Sequence, residues 1–299
     1  MQRFMRPVRL RADEIEVRPA QSSDQVAIGD LTENNRHTHF NLDWWTFEDW
    51  LYPDRSSDAI WIAQHDTQPI GVAAIPIDDS PVAWIRSAAV ADSYEPQSIF
   101  DALIDRATSH LRAQGVSSIV SIAFPDWYAA ILTAAKFTPV VNVISLRKDD
   151  RSIPGSAAPS TPDVATRPAR SNDIRAIARN DRAAFDSVWW YSEKSIAHLL
   201  PIVAHFIVAE VDEQVVGHAF SDMYGGQGHL IRLAVHPDFQ QRGIGERLLI
   251  ESLRYQVAAG AYPLTVNTQG NNLPSQKLYQ RFGYRSIGVP VRIMQRSIS

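Results

Sequence analysis

Two glycines, Gly243 and Gly245, stand between a nearly continuous apolar run, Leu230 to Val235, and a stretch in which Leu249, Leu253 and Val257 recur every fourth residue. The run reads as a strand buried on both faces and the recurrence as an amphipathic helix. His236-Pro237-Asp238 stops the strand, because proline has no amide to give a ladder. A strand, a glycine-bearing turn and a helix start together make an anion site. The first helical amides have no intrahelical acceptor, and the macrodipole adds partial positive charge there. Without a Cβ at Gly243 and Gly245 a diphosphate can approach the backbone closely, and Arg242 can add a full charge. Two glycines alone would fit an ordinary strand-to-helix connection equally well.

The order of parts says more. Leu233-Ala-Val, a proline-containing turn, Gln240-Gln-Arg-Gly-Ile-Gly245 and then a helix resembles the acyl-CoA-binding motif of the GNAT acyltransferase superfamily. Asn272-Leu-Pro-Ser-Gln-Lys-Leu-Tyr279-Gln-Arg-Phe-Gly-Tyr284 is similar to that family's Asn-x-x-Ala-x-x-Leu-Tyr-x-x-x-Gly-Phe segment, with Ser275 for alanine and Tyr284 for phenylalanine.

The resemblance implies acyl transfer, acetyl above all, from acetyl-CoA to a primary amine in a direct ternary complex. The thioester must be positioned, its carbonyl polarised, the amine deprotonated and the leaving thiolate protonated. By resemblance, Gln240, Gln241, Arg242, Gly243, Ile244 and Gly245 hold the cofactor's diphosphate. Leu233 and Val235 offer main-chain contacts to pantetheine, and the Val235 amide donates to the thioester oxygen. Tyr279 is the candidate acid for the leaving sulfur, and Asn272 a cofactor contact. Their seven-residue spacing is nearly two helical turns, so both project to one face. The structural alternatives are a core tyrosine and a helix N-cap asparagine.

The general base stays open. His229, at the start of the central strand, leads because imidazole titrates in the right range. Glu210, Asp222, Glu193 and a chain of waters are alternatives. Phe185, Trp189 and Trp190 read as packing aromatics, and Tyr191 as the acceptor contact. His205, His218, His229 and His236 lack metal-ligand spacing, so no metal is expected.

The 299-residue chain has no cysteine, which removes disulfides, thiolate metal sites and an acyl-cysteine intermediate. Its net charge of -4, with scattered basic residues, gives no footprint for nucleic acid or membrane binding. No run approaches a membrane span, and the basic start lacks the apolar core of a signal peptide. The expectation is a cytoplasmic monomer or homodimer acting on a small-molecule amine.

The chain also repeats itself. Val17-Arg-Pro-Ala matches Thr166-Arg-Pro-Ala, Pro69-Ile-Gly71 matches Val215-Val-Gly217, and Gly115 matches Gly260. Phe40 with Trp44-Trp45 matches Phe185 with Trp189-Trp190, and Val90 matches Val235, both at a shift of 145. This predicts a tandem duplication of one mixed α/β unit, each with a mostly antiparallel sheet and helices on both faces. The expected boundaries are 1–147, a Pro/Ser-rich linker at 148–162, and 163–299. At that shift Gln240, Gln241, Arg242, Gly243 and Gly245 become Glu95, Pro96, Gln97, Ser98 and Phe100. Negative charge, a missing amide and bulk all oppose a diphosphate, so the first copy reads as a degenerate scaffold. With Phe137 aligned on Tyr284, Leu132 and Pro125 stand where Tyr279 and Asn272 do. The layout resembles that of mycothiol synthases, which favours a small-molecule acceptor. The Phe185–Trp189 segment resembles ribosomal-protein alanine acetyltransferases, which would favour a protein N-terminus. A CoA-binding sensor without turnover is the remaining alternative.

Overall fold

The computed structural model describes residues 7–41, 59–124, 126–154 and 163–298. In chain order the first elements are β1 (Glu16–Pro19), α1 (Gln25–Glu33), β2 (His37–Phe40), β3 (Ile60–His65), β4 (Gln68–Ala74), β5 (Val82–Trp84) and β6 (Ser87–Val90). There follow α2 (Pro96–Ala113), β7 (Ser118–Ile122), α3 (Asp126–Ala134) and β8 (Thr138–Lys148). The rest are β9 (Ala165–Pro168), α4 (Ile174–Ala184), α5 (Glu193–Leu199), β10 (His205–Val211), β11 (Gln214–Tyr224) and β12 (Gln227–Val235), then α6 (Ile244–Ala258), β13 (Leu264–Gln269), α7 (Leu273–Arg281) and β14 (Arg285–Ser297).

These elements form two compact units, Met1–Val140 with Val291–Ser299, and Val141–Pro290. The boundaries differ from the ends of the sequence copies. Strand β8, at the end of the first copy, pairs with β13 of the second unit, Lys148 opposite Leu264. The end of β14 pairs with β7 of the first, Ile293 opposite Ile122. Lys148, which composition placed in the linker, ends β8 and is fully buried with its ammonium 2.6 Å from Asp150. Hydrogen-bond partners decide a strand's unit, and composition does not report them.

In the first unit β1, β3, β4, β6 and β2 lie side by side, all antiparallel. In the second, the order is β8, β13, β12, β11, β10, β9, with β12 and β13 parallel and the other pairs antiparallel. Gly217 on β11 faces α6, where a Cβ would meet Ala234 O at 2.9 Å and Leu248 at 3.2 Å. Its neighbour His218 points the other way, towards Asp181 on α4. Alternation along β11 therefore shows helices on both faces, a mixed α/β architecture. No helix among the described residues is long and apolar enough to cross a membrane.

The duplication is physical as well as textual. The hairpins β3–β4 and β10–β11 turn through left-handed pairs, Asp66-Thr67 and Asp212-Glu213. Both carry a register shift one step before the turn, at Ala63/Gln64 and Ala209/Glu210. Gly71 pairs with Val90 and Gly217 with Val235. Arg18 grips Asp24, and Arg167 grips Asp173, each through both guanidinium nitrogens at 2.7–2.9 Å. Trp44 and Trp45 lie outside the described residues.

Candidate active site

Strand β12 is where the second unit opens. A bulge leaves Ile231 without a partner, since Phe220 faces Arg232 while Ser221 faces Leu230. Strand β13 pairs with β12 only over Gly228–Leu230, and from Asn267 to Gln269 it pairs with β8 alone. The His236 amide donates to Val216 O on β11 at 2.8 Å. By strand alternation, the main-chain groups of Val235 and Leu233 therefore turn to the opposite edge, the one β13 has left.

That edge forms one wall of a cavity of about 740 Å3. Leu233, Val235, Gln240, Gln241, Gly243, Ile244, Gly245 and Asn272, all expected from the sequence, line it. Gln241 (φ 60°) and Gly243 (φ 80°) are left-handed, which turns the loop into α6 with Gly243 as N-cap. At Gly245 the backbone makes no such demand. A Cβ there would touch only side-chain atoms of Leu233, Val235 and Leu278 at 3.7–3.9 Å, ordinary contact. The protein itself has no need of a bare backbone here, whereas a diphosphate seated on the first amides of α6 does. The donor set, amides and a glycine wall, fits the diphosphate of CoA. Gln240 closes the turn by donating from Nε2 to Val235 O at 3.0 Å.

Arg242 is placed differently. Its guanidinium donates to Asp238 O at 2.9 Å and lies over the Phe239 ring, and it does not line the cavity. The basic residue on the wall is Arg281, paired with Glu246 at 2.9 Å. It lies two residues beyond Tyr279, inside the second motif, where only its spacing to the cavity loop was hidden.

A smaller cavity of about 50 Å3 continues between β12 and β13. Tyr279, Asn272, Ser275, Arg232 and Phe185 line it. Tyr279 is 4% exposed, its ring 5.8 Å from Tyr284. Its hydroxyl makes no hydrogen bond among the described residues. Burial pushes that hydroxyl's pKa well up, against a smaller opposing pull from Arg232, so it stays protonated at neutral pH. Asn272 fills the capping role, accepting from Ser275 N at 3.2 Å, and still lines both cavities. Phe185, read as packing, also lines both.

The base candidates sit elsewhere. His229 lies on the part of β12 still paired with β13, its Nδ1 2.9 Å from Thr265 Oγ1, and lines neither cavity. Burial holds its pKa below the usual imidazole value. Glu210 is taken up by Arg167, Asp222 accepts from the Met223 amide, and Glu193 starts α5. Tyr191 is buried beside Phe220 and does not line either cavity.

One group of residues escaped sequence reasoning. Asp181 on α4 is wholly buried and accepts from Arg232 Nε at 2.7 Å, Arg232 Nη2 at 2.6 Å and the Tyr191 amide at 2.7 Å. His218 Nε2 stands 3.3 Å away. Burial alone would raise the Asp181 pKa, but the Arg232 charge, the His218 ring beside it and the hydrogen bonds from Arg232 hold it at about 2. Arg232 also donates to Trp189 O at 2.6 Å and lies 3.7 Å over the Phe185 ring. It ties the turn after α4 to the strand beside Tyr279. The available signal was a lone arginine inside an otherwise apolar strand, which must find a buried partner.

Comparison with known proteins agrees with this geometry. The model of the Acetyltransferase (GNAT) family matches twice, over residues 27–133 and 173–284, more than half of the chain, and the chain belongs to that family. An uncharacterized N-acetyltransferase of Methanocaldococcus jannaschii is 32% identical over 118 residues, 38% of this chain and 74% of the relative. A tandem GNAT protein from the clavulanic acid biosynthesis pathway matches 96% of this chain and 99% of its own, with TM-score 0.62 and 13% identity. A GCN5-related N-acetyltransferase from Kribbella flavida matches 95% of this chain and 71% of its own, with TM-score 0.67 and 14% identity. These two likenesses establish the fold. The protein is a tandem GNAT N-acetyltransferase.

Proposed function

We propose that the second unit alone is catalytic, transferring an acetyl group from acetyl-CoA to a primary amine of a small molecule by direct attack in a ternary complex. The observation that carries this reading is the splayed edge of β12. There the Leu233 and Val235 amides, which no neighbouring strand covers, face a cavity that runs to the glycine-bearing start of α6.

Amides at the start of α6 would hold the diphosphate, and Gly245 would leave room for it. The Val235 amide would polarise the thioester carbonyl. Tyr279, protonated and without a protein partner, would give its proton to the departing sulfur. The proton of the attacking amine would pass to water, since the carboxylates and imidazoles considered as bases lie outside both cavities.

Calorimetry with CoA should give one site per chain, and two equivalent sites would overturn the assignment to the second unit. Thiol release from acetyl-CoA, screened over small amines and peptides with free N-termini, should be stimulated by small amines. Stimulation by peptides alone would point to a protein acceptor. Tight CoA binding without any stimulated release would identify a sensor.

A further inference from the structure

Helix α4 carries a second feature that acyl transfer does not use. Arg175, Arg179 and Arg182 recur at spacings of four and three, which puts three guanidiniums on one face. Over that span the helix rises about 10 Å. With Ala178 and Glu193 they line a surface cleft of about 290 Å3, separate from the two cavities of the acyl-transfer site. None of the three makes an ion pair or hydrogen bond among the described residues, though Arg182 lies 5.0 Å over the Trp190 ring. Like charges at this spacing destabilise a helix, and here no acid within ion-pair distance offsets them.

The first unit shows that the fold does not require this charge. Helices α1 and α4 follow the same Arg–Asp clamp, Arg18–Asp24 and Arg167–Asp173. Two, six and nine residues after the aspartate, α4 has Arg175, Arg179 and Arg182, while α1 has Val26, Asp30 and Glu33. All six positions are exposed. One scaffold therefore displays an acidic face in one copy and a wholly basic one in the other, on a chain whose net charge is -4. Guanidinium forks match phosphate and carboxylate oxygens and remain charged at any physiological pH.

We infer that the Arg175–Arg179–Arg182 cleft of α4 is a binding site for a small multiply charged anion, a phosphate or polycarboxylate group. Glu193 on the rim disfavours a singly charged ligand, whose single contact would not offset that repulsion.

The test uses the full chain with its acyl-donor site saturated by CoA, so that the amides of α6 cannot take the probe. Tripolyphosphate and citrate are titrated separately by calorimetry at low salt. One site is expected, with an affinity that falls steeply as salt is added. In R175Q/R179Q it should weaken at least tenfold. Glutamine is close to arginine in helix propensity, so the variant should fold, and its melting temperature checks this. Binding of tripolyphosphate alone identifies a phosphate ligand, and binding of both identifies a response to charge. No binding of either probe to the parent overturns the proposal, as does binding that the variant keeps. Failure of CoA itself to bind would sink the acyl-transfer assignment and leave the titration of the cleft readable.

Discussion

In the first unit, Val90 faces His37 across a ladder between β6 and β2. In the second, the corresponding Val235 faces the cavity, and residues of the β2 position form the end of α4 and Phe185. The Ala91 amide donates to Ile70 O as the His236 amide does to Val216 O, so the outward groups of Val90 and Val235 have the same sense. The first copy covers them with the backbone of β2, whereas in the second no strand does, and Gln240 takes the Val235 carbonyl. Beyond this edge Pro96 begins α2 where Gln241 precedes α6, and Phe100 is buried in the first core where Gly245 lines the cavity. The hairpin turns, register shifts, Arg–Asp clamps and close-packed glycines are common to both. Packing constrains those shared features, whereas the fold accommodates this edge both covered by a strand and uncovered.

The largest difference between the units should be transferable by one residue. Gly245→Phe, which copies Phe100, should abolish CoA binding in calorimetry while the melting temperature stays near the parent's, because the ring would enter the cavity and not the core. Retained affinity would show that the glycine wall is not the diphosphate site. Tyr279→Phe, which approaches the apolar Leu132 of the first copy, should slow acyl transfer by about 10²–10⁴, the usual worth of a general acid, with CoA affinity nearly unchanged. Single-turnover measurement with an amine found in the screen decides it, and an unchanged chemical rate would reduce Tyr279 to a packing residue.

Asp181→Asn removes a buried charge that the first copy lacks, and leaves Arg232 uncompensated. It should cost about 3–5 kcal/mol in urea unfolding. The sign of the pH dependence follows from the lowered pKa. Asp181 adds stability above the ordinary carboxylate value of 3.8, and this is lost as pH falls towards about 2. For a shift of this size the contribution is about 2–3 kcal/mol. The variant should therefore show a weaker loss of stability than the parent between those pH values, and parallel curves would assign the acid sensitivity to other groups. The smallest effect expected is none: Phe100→Gly should create no second CoA site, because β2 still occupies the edge of β6. A second calorimetric site in that variant would show that bulk at Phe100, and not the closed edge, silences the first copy.

The readable part of this site was the local part. Leu230 to Val235, the glycine turn and the stripe of α6 are contiguous, and each declares itself through periodicity and turn chemistry. Asn272 and Tyr279 were picked out by the resemblance of their segment, and their seven-residue spacing suited one helix and its cap. Contacts made across the chain were hidden. Arg232 was absorbed into an apolar run, because its partner Asp181 lies 51 residues away. Pairing Phe40 with Phe185 suggested one packing role for both. The structure instead puts Phe40 at the exposed end of β2 and Phe185 on two cavities. Strands β5 and β6 are separated only by Ile85 and Arg86, yet β5 pairs with β7 and β6 with β4, a divergence that no local pattern marks.

The exchanged strands also bear on how the protein is born. Residues Val291–Ser299, which cover the edge of β7, leave the ribosome only after the whole of the second unit. Until then β7 presents main-chain groups on that side without their eventual partner, an invitation to mispairing. The second unit has no such wait, since β8 is already made when β13 emerges. The second unit can thus finish its sheet before the first, reversing the order in which tandem domains usually mature on the ribosome.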